Sequence, residues 1–163
     1  MSVVSHLING ELVESKRTLD VTNPSTGKVI RQVADANAAD VERAITAAQE
    51  AFPAWRDTPP AKRAQVMYRF KQLLEENANR LVQLVSEEHG KTPEDAMGEL
   101  KRGIENVEYA CGVPELLKGE YSHNVGPGID AWSNFQPLGV VVGITPFNFP
   151  AMVPLWMYPM AIA

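Results

Sequence analysis

Asn148 stands in the run TPFNFP, Thr145 to Pro150, where its carboxamide is flanked by two phenylalanines and two prolines. An amide buried in so apolar a setting costs free energy unless it is hydrogen-bonded. Two uses fit the residue type: closing a turn, or donating to an oxyanion that develops on a substrate. The residues alone leave both open. Upstream, Arg102 lies in KRGIENVEY beside Gly103, a residue that weakens helices unless another segment must come close. A guanidinium there could clamp a substrate carboxylate through two parallel hydrogen bonds. An ion pair with Glu99 or Glu105 is the simpler local expectation.

Cys111 is the only cysteine, which excludes an intrachain disulfide and a cysteine-based zinc cluster and fits a reducing compartment. Reactive thiols prefer electropositive, partly exposed surroundings. Cys111 instead follows Glu105 and Glu108 and continues an apolar stripe with Ile104 and Val107, so it reads as a small core residue. His6, His89 and His123 show no metal-ligand spacing, and no metal site is expected. Gly27-Lys28 is followed by Val29 and lacks an upstream glycine, so it reads as a turn rather than a phosphate loop.

The elements that must position these residues follow from patterning. Asn9-Gly10 between short apolar runs predicts a hairpin, and NPSTGK predicts a turn between two further strands. Asn37 can cap a first helix in which Val41, Ala44, Ile45, Ala48, Phe52 and Trp55 form a core stripe. Thr58-Pro59 opens a second helix whose stripe runs from Val66 to Val85 and which Gly90 ends. Thr92, Pro93 and Asp95 make a capping pattern for a third, carrying Met97, Leu100, Ile104, Val107 and Cys111. After a projecting ribbon from about Gly119 to Pro137, the β-branched run LGVVVGI suits a strand covered on both faces in a parallel sheet. Such a strand places Thr145, Phe147 and Asn148 at its carboxyl end, where open α/β sheets bind ligands.

With 163 residues, 45% of them hydrophobic, 21% charged and a formal net charge of -5, the chain suits one soluble domain and neither nucleic acid nor an anionic membrane surface as partner. A small molecule or another protein is the expected ligand. The N-terminus has neither a secretory nor a transit pattern, so a cytoplasmic location is expected. Residues 131–163 carry no charge, but five prolines interrupt them and argue against a membrane helix.

The run FQPLGVVVGITPFNFP resembles the aldehyde dehydrogenase superfamily, in which a Pro-(Leu/Ile)-Gly-Val strand precedes an Asn set between aromatic and apolar residues. Phe147 stands where most branches carry Trp. Together with RGIENVEYACG and LLKGEYS, it is similar to the methylmalonate-semialdehyde dehydrogenase branch, NAD-dependent and coenzyme A-acylating. The resemblance implies an α/β fold with part of a Rossmann-like NAD-binding domain: residues 1–118, an oligomerisation ribbon at 119–137, and the start of the NAD-binding sheet at 138–163. It implies oxidation of a semialdehyde to an acyl-CoA in a homotetramer, with NAD as cofactor and coenzyme A as co-substrate. Asn148 then helps form the oxyanion hole, Thr145 and Phe147 contact NAD, and Arg102 binds the substrate carboxylate. The family's catalytic cysteine lies in a second domain downstream of the Asn motif, and Cys111 does not match it. The expectation is therefore an N-terminal portion that is inactive by itself. Two alternatives stay open: a short non-catalytic assembly or binding module, and an aldehyde dehydrogenase branch that hydrolyses its thioester.

Overall fold

A computed structural model describes residues 2–163. Its N-terminal part is built from short strands. β1 (Val3–Val4) pairs parallel with β5 (Lys28–Ala34), which pairs antiparallel with β4 (Thr18–Asn23). β2 (His6–Ile8) and β3 (Glu11–Val13) form a separate hairpin. Its turn is Asn9-Gly10, both at positive φ (52° and 78°), the backbone a two-residue hairpin demands and the reason this dipeptide is there. The β4–β5 sheet is tied to the helical part through Arg31, which donates to Glu87 and Glu88, each at 2.7 Å. The two carboxylates hold the Arg31 guanidinium above its ordinary pKa, the Glu87 hydrogen bond contributing most.

Six helices follow among the described residues. α1 (Ala38–Arg56) begins with a reciprocal cap: the Asn37 side chain accepts from the Ala39 and Asp40 amides, and the Asp40 carboxylate accepts from the Asn37 amide. The stripe expected to be core on α1 is not buried in this chain, and Val41 is half exposed. The second predicted helix is two helices, α2 (Pro60–Glu76) and α3 (Ala78–His89). Between them the Asn77 side chain donates to the Leu73 carbonyl at 2.8 Å, competing locally with the helical ladder. Thr58 does not cap α2; its hydroxyl donates back to Ala54. Gly90 ends α3 at φ 86°, as its position predicts.

α4 (Pro93–Ala110) is the central element. It is capped by Thr92, whose hydroxyl accepts from the Asp95 amide. One end of α4 packs Ala110 and Cys111 with Ala64, Met67, Val113 and Ala163. The other packs Ala96, Leu100 and Val107 with Val82 and Leu155. After the short α5 (Val113–Leu116), a two-stranded ribbon of β6 (Tyr121–Gly126) and β7 (Ile129–Trp132) projects within the predicted 119–137 segment. Asp130 organises it, meeting the Tyr121 hydroxyl, the Asn124 amide and His123 Nδ1. At its base Gly119 passes so close to Ser133 that a Cβ would lie 1.8 Å from the Ser133 carbonyl oxygen.

The expected buried parallel strand at Leu138–Ile144 does not form. Residues 133–150 contain no strand, and Leu138 and Ile144 are 94% and 88% exposed. The reason is pairing: a strand exists by its ladder, and no strand among the described residues is placed beside this run. The chain resumes regular structure in α6 (Met152–Ile162), which lies against α4. No helix among the described residues is long and apolar enough to cross a membrane.

Gly103 makes the α4–α6 approach possible. A Cβ there would stand 2.6 Å from Leu155 Cδ1 and 3.2 Å from Leu155 Cβ. A larger residue regains up to ~1 kcal/mol of helix propensity, but overpacking costs about 1–3 kcal/mol. Gly103→Val therefore lowers the stability of the chain by about 2 kcal/mol, read from the urea midpoint with the slope unchanged. An unaltered or raised midpoint would show that α6 does not press on α4.

Candidate functional site around Asn148

Thr145, Phe147 and Asn148 lie in the non-helical segment that leads into α6. Thr145 is half-buried, whereas Asn148 is exposed and the Phe147 ring is 89% exposed. The Asn148 carboxamide has no hydrogen-bond partner among the described residues, so it does not close the turn before α6. Glu99 does that work instead. Its Oε1 accepts from the Ala151 amide at 2.7 Å and the Met152 amide at 3.1 Å, the unpaired donors at the start of α6. α6 has no side-chain cap of its own.

Glu99 is fully buried and its Oε2 meets Lys91 Nζ at 2.5 Å. Burial opposes its ionisation, but the Lys91 hydrogen bond and the two amides outweigh that cost and hold the carboxyl below its ordinary pKa. Lys91 Nζ also lies 4.0 Å from the centroid of the Phe149 ring. The residue next to Asn148 thus rests on the same ammonium that neutralises Glu99.

Arg102 joins this cluster from α4. Its Nε donates to the Gly98 carbonyl at 3.3 Å and its guanidinium stands 5.4 Å from the Phe149 ring. The simpler expectation, an ion pair with Glu99 or Glu105, is not what the structure holds: Glu99 is taken by Lys91, and no carboxylate among the described residues pairs with Arg102. Arg102 is exposed, and its contact with the Phe149 ring places it near the Asn148 segment. Cys111 is elsewhere, buried at the end of α4, where burial pushes its thiol up and Sγ donates weakly to the Val107 carbonyl.

The other end of α6 is also held from a distance. Trp55 Nε1 donates to the Ile162 carbonyl and Arg63 Nε to the Ala163 carbonyl, both at 2.7 Å. Sequence reasoning named Glu99 only as a possible partner of Arg102 and missed both Lys91 and the bonds of Glu99 to α6. The signal was present in the spacing: Ala96, Glu99, Gly103 and Val107 fall on one helical face, so a carboxylate sits on a buried stripe and must be paired.

The depressed pKa of Glu99 fixes the sign of a pH effect. Its ionised form is favoured by folding, so its stabilisation is complete above its ordinary value of 4.5 and disappears as pH falls through the lower folded value. Docking of α6, followed by the fluorescence of Trp156 on that helix, is expected to weaken in this acid window. Glu99→Gln removes that dependence, and an acid transition of undiminished size in this variant would refute the assignment. Separately, Cys111 is expected to react with thiol reagents only at the rate of unfolding; rapid labelling of the native chain would contradict its burial.

The chain is 71% identical over its whole length to the malonate-semialdehyde dehydrogenase of Pseudomonas aeruginosa, of which it covers 33%. Its fold superposes on the methylmalonate-semialdehyde dehydrogenase of Oceanimonas doudoroffii with a TM-score of 0.96 and 66% identity, covering 99% of this chain and 33% of that one. A Sinorhizobium meliloti protein carrying the methylmalonate-semialdehyde dehydrogenase name and crystallised with NAD gives 0.93 and 45%, over 98% and 33% of the two chains. The chain thus spans about a third of the length of the relatives it matches. Residues 12–163 match the aldehyde dehydrogenase family, and with them the chain, its helices and its exposed Asn148 segment belong to that family.

Proposed function

We propose that this chain is the N-terminal part of an NAD-dependent, coenzyme A-acylating malonate- or methylmalonate-semialdehyde dehydrogenase, and that it has no turnover by itself. The observation that carries the reading is the exposed, unpartnered carboxamide of Asn148 on a segment fixed from behind by Glu99 and Lys91. A donor held in place and left unpaired in the resting protein suits an oxygen that becomes negative only during reaction. Support for the substrate class comes from the names of the relatives, which are malonate- and methylmalonate-semialdehyde dehydrogenases. Coenzyme A rests on the word acylating in the names of the Dictyostelium discoideum and Arabidopsis thaliana relatives.

The residues present fit NAD: Phe147 carries an exposed apolar ring and Thr145, two residues earlier, a half-buried hydroxyl. When bound, NAD supplies the hydride acceptor for aldehyde oxidation. Within this scheme Phe147 and Thr145 hold one side of the cofactor, and Asn148 donates to the aldehyde oxygen as negative charge develops there. Arg102, unpaired and exposed, takes the distal carboxylate of a semialdehyde. The nucleophile comes from outside these residues, since Cys111 is a buried core residue. The exposed ribbon of β6 and β7 serves assembly of a homo-oligomer, and the complete enzyme works in the cytoplasm.

The test uses a chimaera in which this chain replaces the matching third of the Pseudomonas aeruginosa relative. Asn148→Ala is expected to lower kcat about 10²- to 10³-fold, the loss typical of one oxyanion donor. Unchanged kcat would remove the role. Arg102→Ala is expected to raise KM for malonate semialdehyde at least tenfold while sparing propanal, which lacks the carboxylate; equal effects on the two aldehydes would remove the clamp.

A further inference from the structure

The start of α6 depends on an acceptor far away in sequence. Ala151 stands at the N-cap of α6 without a side chain that can cap it, yet the amides of Ala151 and Met152 are both satisfied, by a carboxylate 52 and 53 residues earlier. A buried ion pair is a poor source of stability, because well-packed apolar residues commonly do as well in its place. What such a pair does provide is a fixed geometry. Here it fixes the chain on the C-terminal side of Asn148 through two amides and at the adjacent residue through the Phe149 ring on Lys91. Asn148 has no hydrogen bond of its own among the described residues, so its placement is inherited from these neighbours.

We propose that Glu99, held by Lys91, is a positioning residue that sets the Asn148 carboxamide for its reaction. The inference rests on the oxyanion role of Asn148 given above and adds a residue that touches neither substrate nor cofactor. A misplacement of about 1 Å in a reacting group can cost on the order of 10²-fold in rate, so a loosened anchor acts on kcat more than on binding.

The experiment is a double-mutant cycle in the same chimaera, with rates normalised to active sites by the NADH burst. Glu99→Gln keeps an acceptor oxygen but loses the charge that binds Lys91. It is expected to lower kcat about tenfold with KM for NAD and aldehyde changed less than twofold, and to add no further loss in an Asn148→Ala background. A further tenfold loss in that background, or an unchanged kcat in the single variant, overturns the positioning role while leaving Asn148 as donor. If Asn148→Ala alone leaves kcat unchanged, the donor role fails and the positioning role fails with it. Should Glu99→Gln not fold, Phe149→Leu removes the ring from Lys91 and Arg102 while leaving the buried carboxylate, and goes through the same cycle read on kcat alone.

Discussion

A single carboxylate decides where the last helix begins. α6 has no charged residue and no local cap, and it is apolar around its circumference, so neither its own sequence nor an amphipathic face fixes its rotation or its start. Glu99 provides the missing constraint by accepting two terminal amides, and Lys91 makes burial of that charge tolerable. Gly103, one helical turn further along α4, then sets how closely the two helices lie. The α4 face therefore works as a template: a charge for the start, a gap for the crossing and Leu100 and Val107 for the packing.

Local chemistry in this chain is legible from sequence wherever a residue type has one backbone use. Asn9-Gly10, the Asn37 cap, the Gly90 stop and the Thr92 cap all stand where their side chains or φ values require. The interrupted helix at Asn77 is not legible, because the break depends on one side-chain bond to Leu73 within an otherwise continuous apolar stripe. Of the candidate site, residue type and motif single out Asn148, Phe147, Thr145 and Arg102. Its supporting half is hidden, since the pairing of Glu99 with Lys91 and with the α6 amides joins positions that no short-range pattern connects.

The two apolar stretches that patterning assigned to the interior, the α1 stripe and the run Leu138–Ile144, are the ones this chain leaves uncovered. Periodicity and hydropathy report how a segment expects to be surrounded, and they carry no information about which residues will surround it. β-branched residues with both faces apolar ask for neighbours on both faces, and residues 2–163 place none there. The apolar pattern is correct as a statement of need and silent about supply.

The anchors of α6 also impose an order of events on the chain. Its bonds reach back 52 and 53 residues to Glu99, 100 to Arg63 and 107 to Trp55. Closing the longer loops costs only about 0.6 kcal/mol more per doubling of length, so distance itself is a small thermodynamic burden. Its effect is kinetic, because such contacts form only after the segments they join have become ordered. On a ribosome, α2 to α4 can assemble while Asn148 is still being made, and the helix that fixes it arrives at a surface already built. Asn148 therefore finds its place only after the α4 face that fixes α6 has formed.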